Sequence, residues 1–444
     1  MRYLPPSSSL LALGLLFASV VAKPQDGDRT TEQEEAQIKG ALPPLDPNAE
    51  CAGYYYAPVS NALSQFPAPA AQAHMVPGDT EAQDKFNSIK DLIPNIAPKG
   101  TPEGDFSSVA SYPSDDPDCW WTRTQCVSPK LQGLPPDIFE VPEPLTNGYG
   151  FDDGPNCSHN AFYDFLQEQN QKATMFFVGT NVIYQPLEAQ RALTDGHEIC
   201  VHTWSHHYMT ALSNEDAFAE LWYSVTPTCW RPPFGDVDDR IRAIAAALNL
   251  QTILWKYDSF DWKVTSGQAT PDQVNKNYDD FANTAKTGGF DTPWHGGIIL
   301  SHEGDQFTMQ AAIDNYPKLK DAFKYIVPVG VALNKTRPYV EANYSLPTFD
   351  KYISGTTVVL GETPQSDGAT TSLALGAAAA SGTSTAKSSQ SSSAGDSNHQ
   401  AGNSTGNSTG SSGKNDALST IGSPASSQWL IMVVLTAFFA ALHL

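Results

Sequence analysis

Two aspartates stand side by side at Asp152 and Asp153, after Gly150-Phe151 and before Gly154-Pro155. Carboxylates at that range repel, so both stay ionised only if a cation or an arginine compensates them. Further along come His202 and His206, then Arg231 before two prolines, then Asp258 and Asp261 before Trp262, and His302 after an apolar run. Six of the ten histidines fall between residues 197 and 302, so imidazole is concentrated where these carboxylates could meet it. His-x-x-x-His places two imidazoles on one side of a helical turn, a spacing suited to one metal ion. One added carboxylate gives a two-histidine, one-aspartate set with positions left for water and substrate, which is a catalytic rather than a structural zinc pattern. Such a metal makes its water a nucleophile at neutral pH, and the second aspartate would accept that water's proton.

The elements around these residues alternate in type. Strand candidates read NGYGF, ATMFFV, HEICVH, PTCWRP, TILWKYD, GGIILSH and YIVPVGVAL. Between them SHNAFYDFLQEQN, VIYQPLEAQRALTDG, SNEDAFAELWYS, DVDDRIRAIAAALN, PDQVNKNYDDFANTAKT and MQAAIDNYPKLKDAFK read as helices. Strands followed by helices predict an α/β fold with a parallel sheet of right-handed crossovers. Seven apolar strands fit a closed or nearly closed barrel, a distorted parallel (β/α)7 arrangement. In such barrels the chemistry sits at the C-terminal ends of the strands. Asp152, Asp153, His202, Arg231, Asp258, Asp261 and His302 all follow strand candidates, as that rule requires.

The two ends carry different signals. Residues 1–22 hold one Arg, a short apolar run and small residues, the pattern of a secretory signal peptide. Residues 23–110 are rich in Pro, Ala and polar residues and predict an extended, partly disordered leader. The expected catalytic domain covers 111–345, with its barrel core at about 145–335. Residues 346–415 are rich in Ser, Thr and Gly and predict a disordered, glycosylated stalk. Residues 416–444 end in an apolar tail and predict a GPI-attachment propeptide, with Asn415 as attachment site and Ser411, Ser412 or Gly413 as alternatives. Sequons place N-glycosylation at Asn156, Asn334, Asn343, Asn403 and Asn407. Six cysteines in a secreted chain suggest up to three disulfides, and sequence alone leaves about 15 pairings open, with the short Cys119–Cys126 loop favoured. A formal net charge of −22 argues against a nucleic-acid partner.

Taken together, Phe151-Asp152-Asp153-Gly154-Pro155, His202-Thr203-Trp204-Ser205-His206, Arg231-Pro232-Pro233-Phe234-Gly235, Asp258-Ser259-Phe260-Asp261-Trp262 and Leu300-Ser301-His302 resemble the motifs of the polysaccharide deacetylases, the fourth carbohydrate esterase family. The resemblance extends over roughly residues 117–335 and is strongest to the fungal chitin deacetylases. It implies a metal-dependent hydrolase that removes N-acetyl groups from chitin, giving chitosan and acetate at the cell wall. It implies Asp152 as base, His302 as acid, Arg231 and Asp261 as their tuning partners, and Asp153, His202 and His206 as ligands of one zinc or cobalt ion. It also implies the backbone N–H of Phe234 at the oxyanion, Trp262 as a groove wall and Leu300 at the acetyl methyl. The expected partners are chitin or chitosan and, through a GPI lipid, the membrane; the chain is expected to be a secreted, plasma-membrane and wall-anchored monomer.

Three positions depart from the family pattern. Gly150 and Phe234 stand where relatives carry Thr and Tyr. His207 stands where a Pro normally follows, and could compete for the metal or simply loosen the turn that Pro stiffens. The segment from His206 to Arg231 is short, which predicts a thin barrel wall. These departures leave two alternatives: a catalytically impaired GPI-anchored wall mannoprotein that binds chitin or chitosan, or a deacetylase of another N- or O-acetylated polysaccharide.

Overall fold

The computed structural model describes residues 29–38, 50–224, 226–293, 295–340 and 344–358. The expected signal peptide and GPI signal lie outside the described residues, as do residues 359–415 of the expected stalk and Asn343, Asn403, Asn407 and Asn415. Residues 346–358, expected to open the disordered stalk, belong instead to the folded domain: Phe349–Ile353 is a helix, and Leu346, Phe349 and Tyr352 are apolar enough to be buried in its core. Among the described residues no helix is long and apolar enough to cross a membrane.

Nine short strands form among the described residues, in chain order: β1 (Thr146–Gly148), β2 (Gly150–Gly154), β3 (Thr174–Phe177), β4 (Glu198–Val201), β5 (Cys229–Trp230), β6 (Gln251–Thr252), β7 (Tyr257–Asp258), β8 (Ile299–Leu300) and β9 (Tyr325–Val327). Five pair in the order β2-β3-β4-β5-β6, while β7 pairs with β8 and β1 with β9. Every one of these pairings is parallel. Asp152 bridges His302 in parallel, so the pairing returns from β8 to β2. The α/β class expected from the alternating pattern is therefore borne out.

Strands β1–β5 and β8 are largely buried on both faces, which is why they read as apolar runs rather than as alternation. On β3, Met175 and Phe177 face a cluster shared with the surrounding helices. Phe176 faces a second cluster with Cys200, Cys229, Ile253, Ile298 and Val327. Cys200 and Cys229 sit in register on β4 and β5 and form a disulfide there. The other two disulfides are Cys119–Cys126 and Cys51–Cys157.

Several elements differ from the sequence expectation. TILWKYD is interrupted and yields β6 and β7 rather than one strand. YIVPVGVAL stops at Pro328, and Val329–Ala332 turns into a short helix, because proline has no N–H for the ladder. VIYQPLEAQRALTDG forms two helices, Gly179–Tyr184 and Pro186–Thr194, with Pro186 opening the second, where a missing N–H costs nothing.

The leader is more ordered than its composition predicts. From residue 50 onward it packs against the α/β core, and Val59, Ala62, Phe66, Ala73, Ala82 and Ile89 enter the same core cluster as Trp204, Phe218 and Trp230. It covers the short segment after His206. Among its described residues that segment forms a 3-10 turn, Met209–Ala211, and one α-helix, Asn214–Trp222, started by Ser213 capping Asp216. Helix Thr80–Ile89 packs on it, with Phe86 5.3 Å from Phe218. Phe66 stacks on Trp204 at 5.9 Å. Glu220 accepts from Ala73 N at 2.8 Å, and Tyr223 Oη reaches both Val76 N and Asp79. The thin wall predicted from the sequence is thus thickened by chain from the N-terminal side.

If the leader is part of the core, Phe66→Ala lowers stability by about 3–5 kcal/mol, as for a buried aromatic. Tyr55→Ala, at a side chain 68% exposed, stays within about 0.5 kcal/mol. Denaturant midpoints measured for both variants check this; equal effects would mean the leader is only draped on the surface.

Candidate active site

Parallel strands put all their C-terminal ends on one face. There β2 carries Asp152 and Asp153 just before its last residue, β4 leads into His202, β5 into Arg231, β7 ends at Asp258 and leads on to Asp261, and β8 leads into His302. The two neighbouring aspartates are separated by a bulge. The β2–β3 register shifts between Asp152 and Gly154, and Asp153 adopts φ 73°. A bulge of this kind re-aims one side chain, so Asp153 turns away from Asp152 and toward the histidines.

Those histidines are not on a helix, which corrects the sequence reading. Residues 202–208 form an irregular loop in which Thr203 (φ 64°) and His206 (φ 60°) are left-handed. Two such residues reverse the chain and bring the rings together, with centroids 4.9 Å apart. His202 Nε2 lies 3.4 Å and His206 Nε2 3.0 Å from Asp153 Oδ1. His202 Nδ1 lies 2.7 Å from the Arg231 carbonyl, which as acceptor leaves Nε2 free for a ligand.

These three side chains suit a divalent cation. Their ligand atoms lie within 4.8 Å of one another. Asp153 Oδ1 is buried and accepts no hydrogen bond among the described residues. Burial alone would raise the Asp153 carboxyl, but His206 and His202 outweigh it and hold the group well below the usual carboxylate range. Two further groups, Asp116/Cys119/Cys126 and Glu198/Cys200/Cys229, have metal-like proximity, but their cysteines are tied in disulfides and offer no thiolate.

Asp152 is 2% exposed and is compensated from the other side. Arg231 Nη1 donates to its Oδ1 at 2.6 Å. The guanidinium is fixed by the Ile253 carbonyl and lies over the Phe176 ring at 3.9 Å. Facing Asp152 across the parallel bridge is His302. Its Nδ1 meets Asp261 Oδ1 at 2.6 Å, and its backbone N–H donates to Asp261 Oδ2 at 3.0 Å. Burial disfavours a charged His302, yet Asp261, with Asp153 and Asp152 nearby, raises its pKa to about 10. Asp258 does not join the set: it caps the turn by accepting from Phe260 N at 2.7 Å, and burial pushes it up to about 6.

Aromatic side chains rim the site. Phe234 (φ 58°) is 42% exposed, stacks on Tyr208 at 4.0 Å and meets His206 edge-on. Trp262 is 41% exposed, and Leu300 is buried two residues before His302. His207 is not among the candidate metal ligands. Its Nδ1 contacts Ser205 Oγ at 2.7 Å, and Ser205 continues to the buried Glu220. Of the described sequons, Asn156 donates from Nδ2 to the Gly304 carbonyl, and Asn334 accepts from Phe349 N.

Sequence reasoning missed two buried carboxylates that support these loops, Glu220 and Glu303. Glu220 accepts from both Trp204 N and Ser205 N and so shapes the histidine loop. Mid-helix in NEDAFAELW it looks like any solvated glutamate. Glu303 had a signal, since it directly follows a strand-end histidine.

The polysaccharide deacetylase family profile matches residues 148–253, from the last residue of β1 to just past β6. The chain is 51% identical over 337 residues to chitin deacetylase 2 of Cryptococcus neoformans var. grubii, covering 73% of each chain. It is 40% identical over 314 residues to the chitin deacetylase of Amylomyces rouxii, covering 67% of this chain and 73% of that one. A solved chitin deacetylase from Colletotrichum lindemuthianum superposes with a TM-score of 0.40 at 22% identity, over 45% of this chain and 92% of that one. On the family match and the identity to these relatives over most of the chain, the protein belongs to the polysaccharide deacetylase family and is a deacetylase, a hydrolase of acetylated polysaccharide.

Proposed function

We propose that this deacetylase removes N-acetyl groups from chitin, releasing acetate and leaving chitosan, with one zinc or cobalt ion held by Asp153, His202 and His206. The observation that carries the reading is the pair Asp152 and His302, bridged on neighbouring strands, each with its own buried partner at 2.6 Å and both beside the same metal-like triad. The substrate follows from the relatives, which are named chitin deacetylases.

When bound, the cation supplies Lewis acidity to water and to the acetamide carbonyl. Asp152, oriented by Arg231, takes a proton from the attacking water. The water oxygen bonds to the carbonyl carbon, and the Phe234 N–H donates to the oxyanion that forms. His302 gives its proton to the nitrogen as the C–N bond breaks, so acetate and a free amine leave. Asp261 keeps His302 protonated for that step, Trp262 walls the sugar groove and Leu300 lines the methyl pocket.

Three disulfides among the described residues agree with an oxidising, extracellular setting. A secreted, GPI-anchored monomer at the plasma membrane and wall, glycosylated at its sequons, completes the proposal. The silent mannoprotein reading drew on His207 and the short wall; His207 turns to Ser205, and the wall is covered by the leader.

Acetate release from N-acetylglucosamine oligomers tests the reading. Asp152→Asn should lower the rate about 10²–10⁴-fold with the fold retained. Parent-like activity in that variant, or acetate only from O-acetylated xylan, would overturn it. Zinc should raise the melting temperature of the parent after chelator treatment and leave that of His206→Ala unchanged; an equal rise in both would remove His206 from the ligand set. His302 works as an acid, so activity falls as pH rises through its pKa. Asp261→Asn removes the charge that holds this pKa up, so the alkaline limb of kcat should move to lower pH. A pH–rate profile with an unmoved limb would separate Asp261 from the proton transfer.

A further inference from the structure

One buried charged cluster is unused by the proposed chemistry. Glu303 follows His302 and is fully buried. Its backbone N–H donates to the Asp152 carbonyl at 2.8 Å. Its Oε1 accepts from Asn156 N at 3.0 Å and lies 3.2 Å from His159 Nδ1, while Oε2 accepts from Tyr163 Oη at 2.9 Å. The carboxylate fills the space beside Gly154, where an added Cβ would stand 2.7 Å from Oε2. Glu303 therefore grips the loop after Asp153 by backbone and side chain at once.

The grip continues into the leader. On the far side of His159, Nε2 faces the buried Glu35 Oε2 at 3.7 Å, a charge contact. Glu35 sits on the short helix Glu32–Ala36 and also accepts from Asn160 Nδ2 at 2.8 Å. The Cys51–Cys157 disulfide ties a second point of the leader to the same loop.

Building on the proposed function, we propose that Glu303 is a positioning residue that sets the loop carrying Asp152 and Asp153 against His302, and that Glu35 and the Cys51–Cys157 disulfide extend this brace into the N-terminal segment. The leader is then part of the support of the active site. Groups that support metal ligands at one remove commonly alter metal affinity or activity about 10–100-fold when changed.

A plain structural role predicts something different, and Glu198 supplies the comparison. It is as buried as Glu303 and bonds Thr174 Oγ1 and Gly330 N, but it opens β4 at the opposite end from the site. In the full secreted chain, Glu303→Gln should lower kcat about 10–100-fold with KM little changed, and weaken binding of zinc alone, titrated calorimetrically, by a similar factor. Glu303→Asp should recover part of both. Glu198→Gln should lower the melting temperature while kcat per folded molecule and zinc affinity stay at parent values. The inference is overturned if Glu303→Gln keeps kcat and zinc affinity within about twofold of the parent, or changes them no more than Glu198→Gln. Should Glu303→Gln not fold, the double variant Cys51→Ser/Cys157→Ser decides: a loss of zinc affinity supports the brace, and a folded protein with parent affinity rejects it. The zinc titration needs no substrate, so failure to release acetate would sink the proposed function while leaving this inference decided separately.

Discussion

Two adjacent carboxylates in a largely buried site are the constraint around which this molecule is arranged. Asp152 and Asp153 cannot share one environment, since like charges at contact would force one to take up a proton. A bulge in β2 gives them different ones. Asp152 stays in the strand and meets Arg231, whose guanidinium is itself fixed by a backbone carbonyl and a Phe176 face. Asp153 rotates out to the two imidazoles. The same bulge places the Gly154-Pro155 turn against Glu303, so one irregularity in one strand sets the positions on both sides of the site.

Each ionisable group in this site is matched to a specific partner rather than left to solvent. Asp261 receives two N–H groups of His302, which fixes the ring and keeps its proton. The Arg231 carbonyl takes Nδ1 of His202 while the Arg231 side chain takes Asp152, so one residue orients both a candidate ligand and the proposed base. Buried charges carry large desolvation penalties, and pairing of this kind is what lets them remain charged. Their fixed geometry is also what an electrostatically preorganised site needs.

The N-terminal segment has a structural reason to be ordered. Among its described residues, the chain between His206 and Arg231 supplies one nine-residue α-helix and a single 3-10 turn to cover this side of the core. Leader side chains make up the missing apolar cover, and leader backbone N–H groups satisfy Glu220 and Tyr223. Composition suggested disorder because few residues there are large and apolar. Those few are spaced so that Val59, Ala62 and Phe66 reach one cluster, a pattern too sparse to read as a periodic element.

The sequence by itself determined the α/β class, the run of parallel strands and the residues that gather at their ends. It could do so because a doubly buried strand must be apolar along its length, and because parallel strands carry their C-terminal ends to a common face. Asp152, Asp153, His202, His206, Arg231, Asp261 and His302 stand together for that reason. What tertiary structure alone decided was conformation and long-range pairing. The left-handed Thr203 and His206 replace the helix that their spacing suggested, because a four-residue interval is equally served by a doubly reversed loop. The direction of His207 depends on Ser205 and Glu220. The Cys51–Cys157 link and the contacts among Glu35, His159 and Glu303 join positions more than a hundred residues apart, and no local pattern encodes such a meeting. Local sequence sets what each strand end can carry; only the packed chain sets which end faces which.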